Sequence, residues 1–302
     1  MKKSLPFFIL LILISAFTVS CSSSEGRTND LSNDSIHVDT LQKYPNTGEI
    51  KIMSFNVRYE TNEEEAIHNW DFRKEACVDM IEDQRPTLIG FQEAVYTSQW
   101  SYLKEHLANK YDGFGVGRED GLSKGECMGI LYRTDDVEKL RGGTFWLSDT
   151  PDIPSKGWGS SFYRSATWGI FKLKSTGQYF IYINTHLDLT SNVRCKEMEL
   201  IVKKFAEYNP KEYLQFLTAD FNTTPNDDIF KDLKMSMSNA RDNALKTDYS
   251  NTFNGWGDGT GLIDDIFYSK SLTAIEYHTI TQGYDGISYL SDHYPIYAII
   301  KF

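Results

Sequence analysis

The alternation of apolar and polar residues from position 50 onward predicts a protein built largely of short strands. Short runs rich in Ile, Val, Leu, Phe and Tyr recur along the chain, and polar or glycine-containing segments separate them. Short runs of this composition favour strands over helices. The predicted strands cover residues 50–57, 88–92, 129–132, 167–173, 179–187, 213–218, 262–268 and 294–302.

Three segments between these runs carry apolar residues every three or four positions, a spacing that places them on one face of a helix. Strands that alternate with helices predict an α/β fold of mixed sheets flanked by helices. Because no repeat or long low-complexity tract divides residues 50–302, we expect one domain. The predicted helices cover residues 71–83, 99–110 and 194–208.

The first twenty residues have the pattern of a secretory signal peptide. Lys2 and Lys3 precede a mostly apolar run, and small residues follow up to Cys21. The run is too short to span a bilayer as a helix. Cys21 resembles the acylated cysteine of a bacterial lipoprotein, although Thr18 is a poorer residue than Leu in the cleavage motif. The alternative is ordinary cleavage with an incidental cysteine.

The N-terminal pattern divides the chain into a signal peptide over residues 1–20, a lipidated flexible tether over residues 21–48 and a domain over residues 49–302. The tether is rich in Ser, Asn, Asp and Thr and has no apolar period, which is typical of a flexible linker. We therefore expect the domain to be anchored through Cys21 to a membrane of a bacterial cell envelope, on the periplasmic or the outer surface.

The charge of the chain makes long nucleic acid an unfavourable partner. The sequence has 42 acidic and 31 basic residues and a net charge of −11, and loss of residues 1–20 would remove two more lysines. Affinity for nucleic acid of any sequence comes mainly from Lys and Arg side chains that replace counterions on phosphates. We therefore expect no stable nucleic-acid partner, although brief catalytic contact stays open.

Polar side chains stand at the ends of the apolar runs, and a sheet gathers neighbouring strand ends along one rim. Each residue alone is more often a turn-former than a catalyst, but together they would converge on one cleft. So many acids would repel one another at low dielectric unless a cation were present. Oxygen-rich ligands select Mg²⁺ or Mn²⁺ over zinc. The residues are Asn56, Glu93, His186, Asp220, Asn222, Asp264, Asp292 and His293.

The motifs around these residues resemble those of the endonuclease/exonuclease/phosphatase superfamily, which includes deoxyribonuclease I and the apurinic endonucleases. The resemblance runs in order from about residue 50 to residue 302 and is specific for the superfamily rather than for a substrate. Segments around Trp70, Trp146 and Arg164 resemble a bacterial branch of mostly uncharacterised hydrolases. The motifs are Met53-Ser54-Phe55-Asn56, Gly90-Phe91-Gln92-Glu93, Asn184-Thr185-His186-Leu187, Thr218-Ala219-Asp220-Phe221-Asn222, Ile263-Asp264 and Ser291-Asp292-His293-Tyr294-Pro295.

The resemblance implies a deoxyribonuclease I-like fold, which is a four-layered αββα sandwich of two mixed sheets packed face to face. It also implies that the domain over residues 49–302 is catalytic, with its active site at one rim, and we expect a monomer. Asn56, Glu93 and Asp292 would position the metal ion. Asn222 and Arg164 would bind the phosphate of the substrate.

The resemblance further implies that His186 and His293 flank the scissile phosphate. Asp264 would orient His293, and Glu126 would orient His186. Asp220 would hold the attacking water, which must lose a proton to a group whose pKa lies near the operating pH. We favour His293 with Asp264 as that base, and Asp220 is the alternative.

Two positions depart from the pattern of the bacterial branch. Leu189 stands in the segment where a His is common, so the contacts of that His are in doubt here. Asp265 stands where an aromatic residue or His is usual. We expect Asp265 to add negative charge near the site and to weaken the binding of polyanions.

These features predict an exported, divalent-metal-dependent phosphoesterase that cleaves phosphomonoesters or phosphodiesters by in-line attack of an activated water. The acidic charge favours small substrates or phosphates linked to glycans or lipids. The alternative is an endonuclease or exonuclease acting on DNA or RNA. A third hypothesis is an inactive ligand-binding module, which the retention of every core motif disfavours.

Overall fold

Every predicted strand is present in the structure, a computed structural model that describes residues 45–302. The predicted signal peptide, Cys21 and most of the tether lie outside these residues. Six further strands, β3, β4, β5, β7, β11 and β13, complete the set. The strands are β1 (Glu49–Asn56), β2 (Leu88–Gln92), β3 (Ala94–Val95), β4 (Tyr111–Phe114), β5 (Glu126–Cys127), β6 (Ile130–Arg133), β7 (Val137–Trp146), β8 (Ser165–Leu173), β9 (Tyr179–His186), β10 (Leu214–Asp220), β11 (Met237–Asn239), β12 (Asp264–Ser269), β13 (Thr273–Thr279) and β14 (Ile296–Lys301).

Two of the predicted helices are present at nearly full length, and the third is shorter. The segment predicted as a helix over residues 99–110 has a π-helical turn, Tyr96–Trp100, followed by six α-helical residues. In the part of the chain that the structure describes, no helix has the length and apolar character needed to cross a bilayer. The helices are α1 (Trp70–Gln84), α2 (Ser101–His106), α3 (Ser191–Tyr208), α4 (Leu233–Ser236) and α5 (Ala240–Asn243).

Two six-stranded mixed sheets form the body of the domain. The first has the order β13-β14-β1-β2-β6-β4 and the second β11-β12-β10-β9-β8-β7, while β3 and β5 form a separate pair. Each large sheet has a single parallel pair, β1 with β2 and β9 with β10. The carboxyl ends of parallel neighbours point to the same edge, so each pair brings two strand ends to the rim.

The apolar clusters show that the layers are stacked in the order helix, sheet, sheet, helix. Ile52 of β1 and Phe216 of β10 belong to the cluster between the sheets. Phe55, on the opposite face of β1, belongs to a cluster with the apolar face of α1. Ile183 of β9 belongs to a third cluster with Ile201 of α3. The four-layered αββα sandwich predicted from the sequence is therefore confirmed.

A buried polar contact joins the two sheets beneath the rim. Asn184 of β9 donates from Nδ2 to the Phe91 carbonyl oxygen at 2.8 Å, and its Oδ1 accepts from Gln92 Nε2 at 2.7 Å. The sheets can approach this closely because Gly90 has no side chain; a Cβ there would lie 2.3 Å from Asn184 Oδ1. This contact fixes the position of the ends of β9 and β10 relative to those of β1 and β2.

Candidate active site

The predicted site residues lie where the central parallel strands of both sheets end. Asn56 is the last residue of β1, Glu93 follows β2, and His186 and Asp220 are the last residues of β9 and β10. The strand register places Asp220 opposite both His186 and Asp264. These ends border one cleft of about 480 Å³. The structure therefore brings together residues that are far apart in the sequence.

Asn56 links acidic residues from the two sheets. Its Nδ2 donates to Glu93 Oε1 at 3.0 Å and to Asp220 Oδ2 at 2.9 Å. Glu93 has a φ of 62°, a left-handed conformation that residues other than glycine seldom adopt, and its Oε2 accepts the Tyr59 N–H at 2.7 Å. Burial opposes ionisation of Glu93, but charge on His293 and the bond from Asn56 outweigh it and lower its pKa. Glu93 is therefore ionised at neutral pH.

His293 and Asp264 form a buried pair on the floor of the cleft. The Nδ1 atom of His293 lies 2.8 Å from Asp264 Oδ2, and its Nε2 atom lies 3.8 Å from Asp220 Oδ2. Burial favours the neutral ring, but the negative charges of Asp264, Asp220 and Asp292 outweigh it and raise the pKa of His293 to about 10. The imidazolium is therefore the favoured form at neutral pH.

Asp220 lies at the centre of the cluster. Its Oδ2 atom is 3.5 Å from His186 Nε2, and its Oδ1 atom accepts the Asn222 N–H at 2.9 Å. Burial, together with the charge of Asp264, raises the pKa of Asp220 to about 7. A carboxyl group with such a pKa can take up and release a proton near neutrality.

His186 is a neutral hydrogen-bond acceptor towards Asn222. The two side chains meet at 2.9 Å between Asn222 Nδ2 and His186 Nε2, and because an amide nitrogen only donates, Nε2 is the accepting atom. The proton of the neutral ring is therefore on Nδ1. Burial and the charges of Arg164 and Arg118 hold the pKa of His186 well below its usual range.

The predicted pairing of Glu126 with His186 is wrong. Glu126 forms an ion pair with Arg118 instead, and within residues 45–302 the Nδ1 atom of His186 has no hydrogen-bond partner. Glu126 still lines the cleft, and its burial raises its pKa to about 7. The attraction of a buried guanidinium, which is always charged, explains why the carboxylate is held there rather than by the uncharged imidazole.

Two arginines that the sequence analysis missed contribute positive charge to the cleft. Arg58 lies 3.5 Å from Asp292, between Nη1 and Oδ2, and its Nε donates to Glu63 at 2.8 Å. Arg118 lies beside Glu126 and is buried. Arg58 follows Asn56 by two residues, and Arg118 precedes Glu126 in a glycine-containing loop. Their short distance along the sequence from these site residues is the signal that could have identified both arginines. Arg164, which was predicted, also lines the cleft.

The donor set at the rim fits a divalent cation. Glu93, His186 and Asp220 each offer a ligand atom within 4.8 Å of the others, and so do Asp220, Asp264 and His293. Of the three predicted metal ligands, Asn56 contacts Glu93 directly, and Asp292 lines the same cleft. Mutual repulsion between Glu93 and Asp292 adds to burial in raising the pKa of Asp292, as expected where a cation would be stabilising.

The expected effect of Asp265 on polyanion binding stays a prediction, and Leu189 lines the cleft. Asp265 is buried and, like Asp264, is not among the cleft-lining residues. Successive strand residues point to opposite faces, so Asp264 contacts His293 while Asp265 lies towards Asn239 and Arg241, although the charges of the two acids still interact. Leu189 is 63 % exposed and adds an apolar wall where the bacterial branch has a polar ring.

The sequence profile of the Endonuclease/Exonuclease/phosphatase family matches residues 53–293, and the chain therefore belongs to this family. The matched range includes every residue of the rim cluster described above. Members of the family are hydrolases of phosphoric ester bonds, so this protein is a hydrolase of that class. The family in general uses a divalent metal ion, which agrees with the acidic donor set.

Solved structures from Bacteroides are similar to this chain over most of its length. An endonuclease/exonuclease/phosphatase protein of Bacteroides vulgatus is 31 % identical with a TM-score of 0.76, and the match covers 84 % of this chain and 99 % of that one. A mannosyl-6-phosphatase of Bacteroides thetaiotaomicron is 30 % identical with a TM-score of 0.77, covering 84 % of this chain and 100 % of that one.

An uncharacterised protein of Acanthamoeba polyphaga mimivirus is 26 % identical over 272 residues, which are 83 % of this chain and all of the viral protein.

Proposed function

We propose that this chain is a divalent-metal-dependent phosphoesterase that hydrolyses phosphate esters of small or glycan-linked substrates. The observation that carries the proposal is the arrangement of Asp220, His293 and Asn222 on the floor of one narrow cleft. Hydrolysis of a phosphate ester requires a proton acceptor for the attacking water and positive charge for the phosphate oxygens. The cleft supplies both, with Asp220 Oδ2 and His293 Nε2 lying 3.8 Å apart.

The directions of the two central pKa shifts assign the proton-transfer roles. Asp220, with a pKa of about 7, takes the proton of the attacking water. His293, which is protonated because of Asp264, donates from Nε2 to the phosphate or the leaving oxygen. This assignment favours Asp220 as the general base, the alternative that the sequence left open beside His293. Asn222 Nδ2 already donates to His186 Nε2 and to the Leu187 carbonyl oxygen, so one of these bonds would have to break for Asn222 to donate to a phosphate oxygen.

Glu93 and Asp292, with Asn56, would hold the metal ion. When bound, such an ion, Mg²⁺ or Mn²⁺, neutralises negative charge on the phosphate and balances the acidic cluster. Asn56 presents its NH₂ group to Glu93 and its Oδ1 to the Arg58 N–H, so its amide would have to turn for Oδ1 to become a ligand. Both carboxylates already lie at the edge of the cleft.

The size and chemistry of the cleft support a small substrate. Its walls include the apolar side chains of Phe162, Leu189, Phe253 and Ile263, which suit the face of a sugar ring better than a charged backbone. The net charge of −11 disfavours long polyanions. The likeness to the Bacteroides mannosyl-6-phosphatase supports a sugar phosphate as the substrate. The predicted anchor at Cys21 supports a place on the bacterial cell envelope, where the monomer would release phosphate from glycans or nutrients.

A panel of substrates tests this proposal. Purified protein is incubated with p-nitrophenyl phosphate, bis-p-nitrophenyl phosphate, mannose 6-phosphate and plasmid DNA, each with Mg²⁺, Mn²⁺ or EDTA. We expect metal-dependent release of p-nitrophenol or phosphate, a loss of at least about 100-fold with EDTA, and intact plasmid. Asp220→Asn, which keeps the shape of the side chain, is the matched inactive control.

Other outcomes would identify the alternatives. Nicked plasmid at rates above those for the small esters would make the protein a nuclease. Absence of cleavage of every substrate with every metal would favour a ligand-binding module.

A further inference from the structure

Two buried guanidinium groups occupy the same end of the cleft. Arg118 and Arg164 are 8 % and 5 % exposed, and both line the cleft beside His186. The Cζ atoms of the two arginines lie 6.0 Å and 5.1 Å from the centre of the same ring, that of Phe162. One aromatic side chain therefore packs against both positive charges.

These two charges are only partly compensated by the protein. Arg118 pairs with Glu126 through Nη2, while its Nη1 has no hydrogen-bond partner among the described residues. The Nε of Arg164 likewise lacks a hydrogen-bond partner in residues 45–302, and its nearest acid, Asp188, lies 3.8 Å away. Asp188 is already engaged, because its Oδ2 accepts from Ser160 Oγ at 2.6 Å. Each arginine thus keeps an unpaired buried N–H donor.

The positive charges of Arg118 and Arg164 affect the pKa values of neighbouring groups. Burial lowers the pKa of Arg118, and the charge of Arg164 lowers it further, against the opposing attraction of Glu126. Both arginines also hold His186 in its neutral form. Two like charges that line one cleft and are only partly paired are stabilised by an anion bound in that cleft.

We propose that Arg118 and Arg164 together form a subsite for the terminal oxygens of a phosphomonoester dianion, and that Glu126 positions Arg118 for this contact. This inference rests on the proposed phosphoesterase function and narrows its substrate class to monoesters. A monoester carries up to two negative charges on three terminal oxygens, whereas a diester carries one charge on two. A second guanidinium, in addition to that of Arg164, therefore favours binding of the monoester over binding of the diester. Glu126 acts through Arg118 and is a positioning residue.

The ratio of kcat/KM for p-nitrophenyl phosphate to kcat/KM for bis-p-nitrophenyl phosphate tests the subsite. In Arg118→Met we expect kcat/KM for the monoester to fall by about 100-fold and that for the diester by about 3-fold or less. Arg118→Lys keeps the charge but loses the planar guanidinium. Its kcat/KM for the monoester should lie between those of wild type and Arg118→Met. Glu126→Gln should raise KM for the monoester more than it lowers kcat, which a purely structural defect would not do.

A matched control and a binding measurement keep the test independent of folding and turnover. Arg133→Met removes another buried arginine, which pairs with Asp136 outside the cleft, and should leave the ratio unchanged. Calorimetric titration with inorganic phosphate should show at least about 10-fold weaker binding to Arg118→Met than to wild type. An unchanged ester ratio in Arg118→Met, or unchanged phosphate affinity, would overturn the subsite while leaving the phosphoesterase proposal intact. If wild type cleaves neither ester, the phosphoesterase proposal fails, and the phosphate titration still decides the subsite.

Discussion

Replacing Asp264 by asparagine removes one buried charge that acts on both His293 and Asp220. The two side chains have nearly the same shape, so the asparagine can occupy the position from which Asp264 Oδ2 contacts His293 Nδ1 at 2.8 Å. Asp264 is 2 % exposed and His293 is 4 % exposed, so solvent screens their interaction little. The substitution therefore removes charge without opening the site.

The size of the expected effect of Asp264→Asn follows from the pKa of His293. Its value of about 10 exceeds the ordinary 6.5 even though burial acts in the opposite direction. Because one pKa unit corresponds to about 1.4 kcal/mol, the excess represents at most about 5 kcal/mol of preference for the imidazolium. An adjacent opposite charge shifts a pKa by about 1 to 3 units, so in Asp264→Asn we expect the pKa of His293 to fall to between about 7 and 9.

The pH dependence of kcat/KM with p-nitrophenyl phosphate measures how the lowered pKa of His293 changes activity. If protonated His293 stabilises the phosphate, Asp264→Asn should be within a few-fold of wild type at about pH 6 and up to about 30-fold less active at about pH 8.5. The alkaline limb of the profile should move to lower pH. Nuclear magnetic resonance titration of the His293 ring nitrogens gives its pKa directly, and thermal unfolding checks that the variant is folded.

Two outcomes would refute this reasoning. An alkaline limb that does not move would show that the reaction does not need protonated His293; the acidic limb is expected to move in either case, because Asp264 also raises the pKa of Asp220. An unchanged profile together with a lowered His293 pKa would show that the protonation state of His293 does not control the reaction.

Two further predictions concern stability. Asn184→Ala should lower the free energy of unfolding by roughly 2 to 4 kcal/mol, measured by urea denaturation, because it removes the bonds of Asn184 to the Phe91 carbonyl oxygen and to Gln92 Nε2 between the sheets, although Gln92 Nε2 keeps its bond to Ser54 Oγ; a loss below about 0.5 kcal/mol would contradict the inter-sheet role. Asp265 has a pKa of about 7, raised by burial from 3.8, so its charge destabilises the fold increasingly from about pH 4 to pH 7. Asp265→Asn should therefore raise the melting temperature at pH 8 but not near pH 4, and an equal effect at both pH values would argue against a buried charge.

The sequence located the elements that have strong local signals. The predicted strands over residues 50–57, 88–92 and 179–187 correspond to β1, β2 and β9, because buried central strands are nearly continuous apolar runs. The edge strand β7 and the short β11 were missed, since one is largely polar and the other has three residues. An edge strand is stabilised by pairing with its neighbour more than by its own composition.

The contacts between side chains were less predictable from the sequence than the positions of the strands and helices. His293 with Asp264 was anticipated because the resemblance carries both residues, and the structure has them in contact. Glu126 was assigned to His186, yet it pairs with Arg118, a residue that no motif singled out. The choice depends on which cation lies within reach once loops from different strands are packed, and sequence spacing does not specify that distance.

The amino-acid sequence by itself determined the order of the eight strands with apolar runs and of the longer helices, the family, and the set of polar residues at the strand ends. Those features depend on local propensity and on residue types in fixed motifs, both of which can be recognised along a single chain. Only the tertiary structure decided which of those side chains share a charge environment: that Asp264 keeps His293 protonated, that Asp265 lies towards Asn239 and Arg241, and that Arg118 lines the same cleft as Arg164. Electrostatic interaction depends on distance and burial, and folding brings residues close that are far apart along the chain.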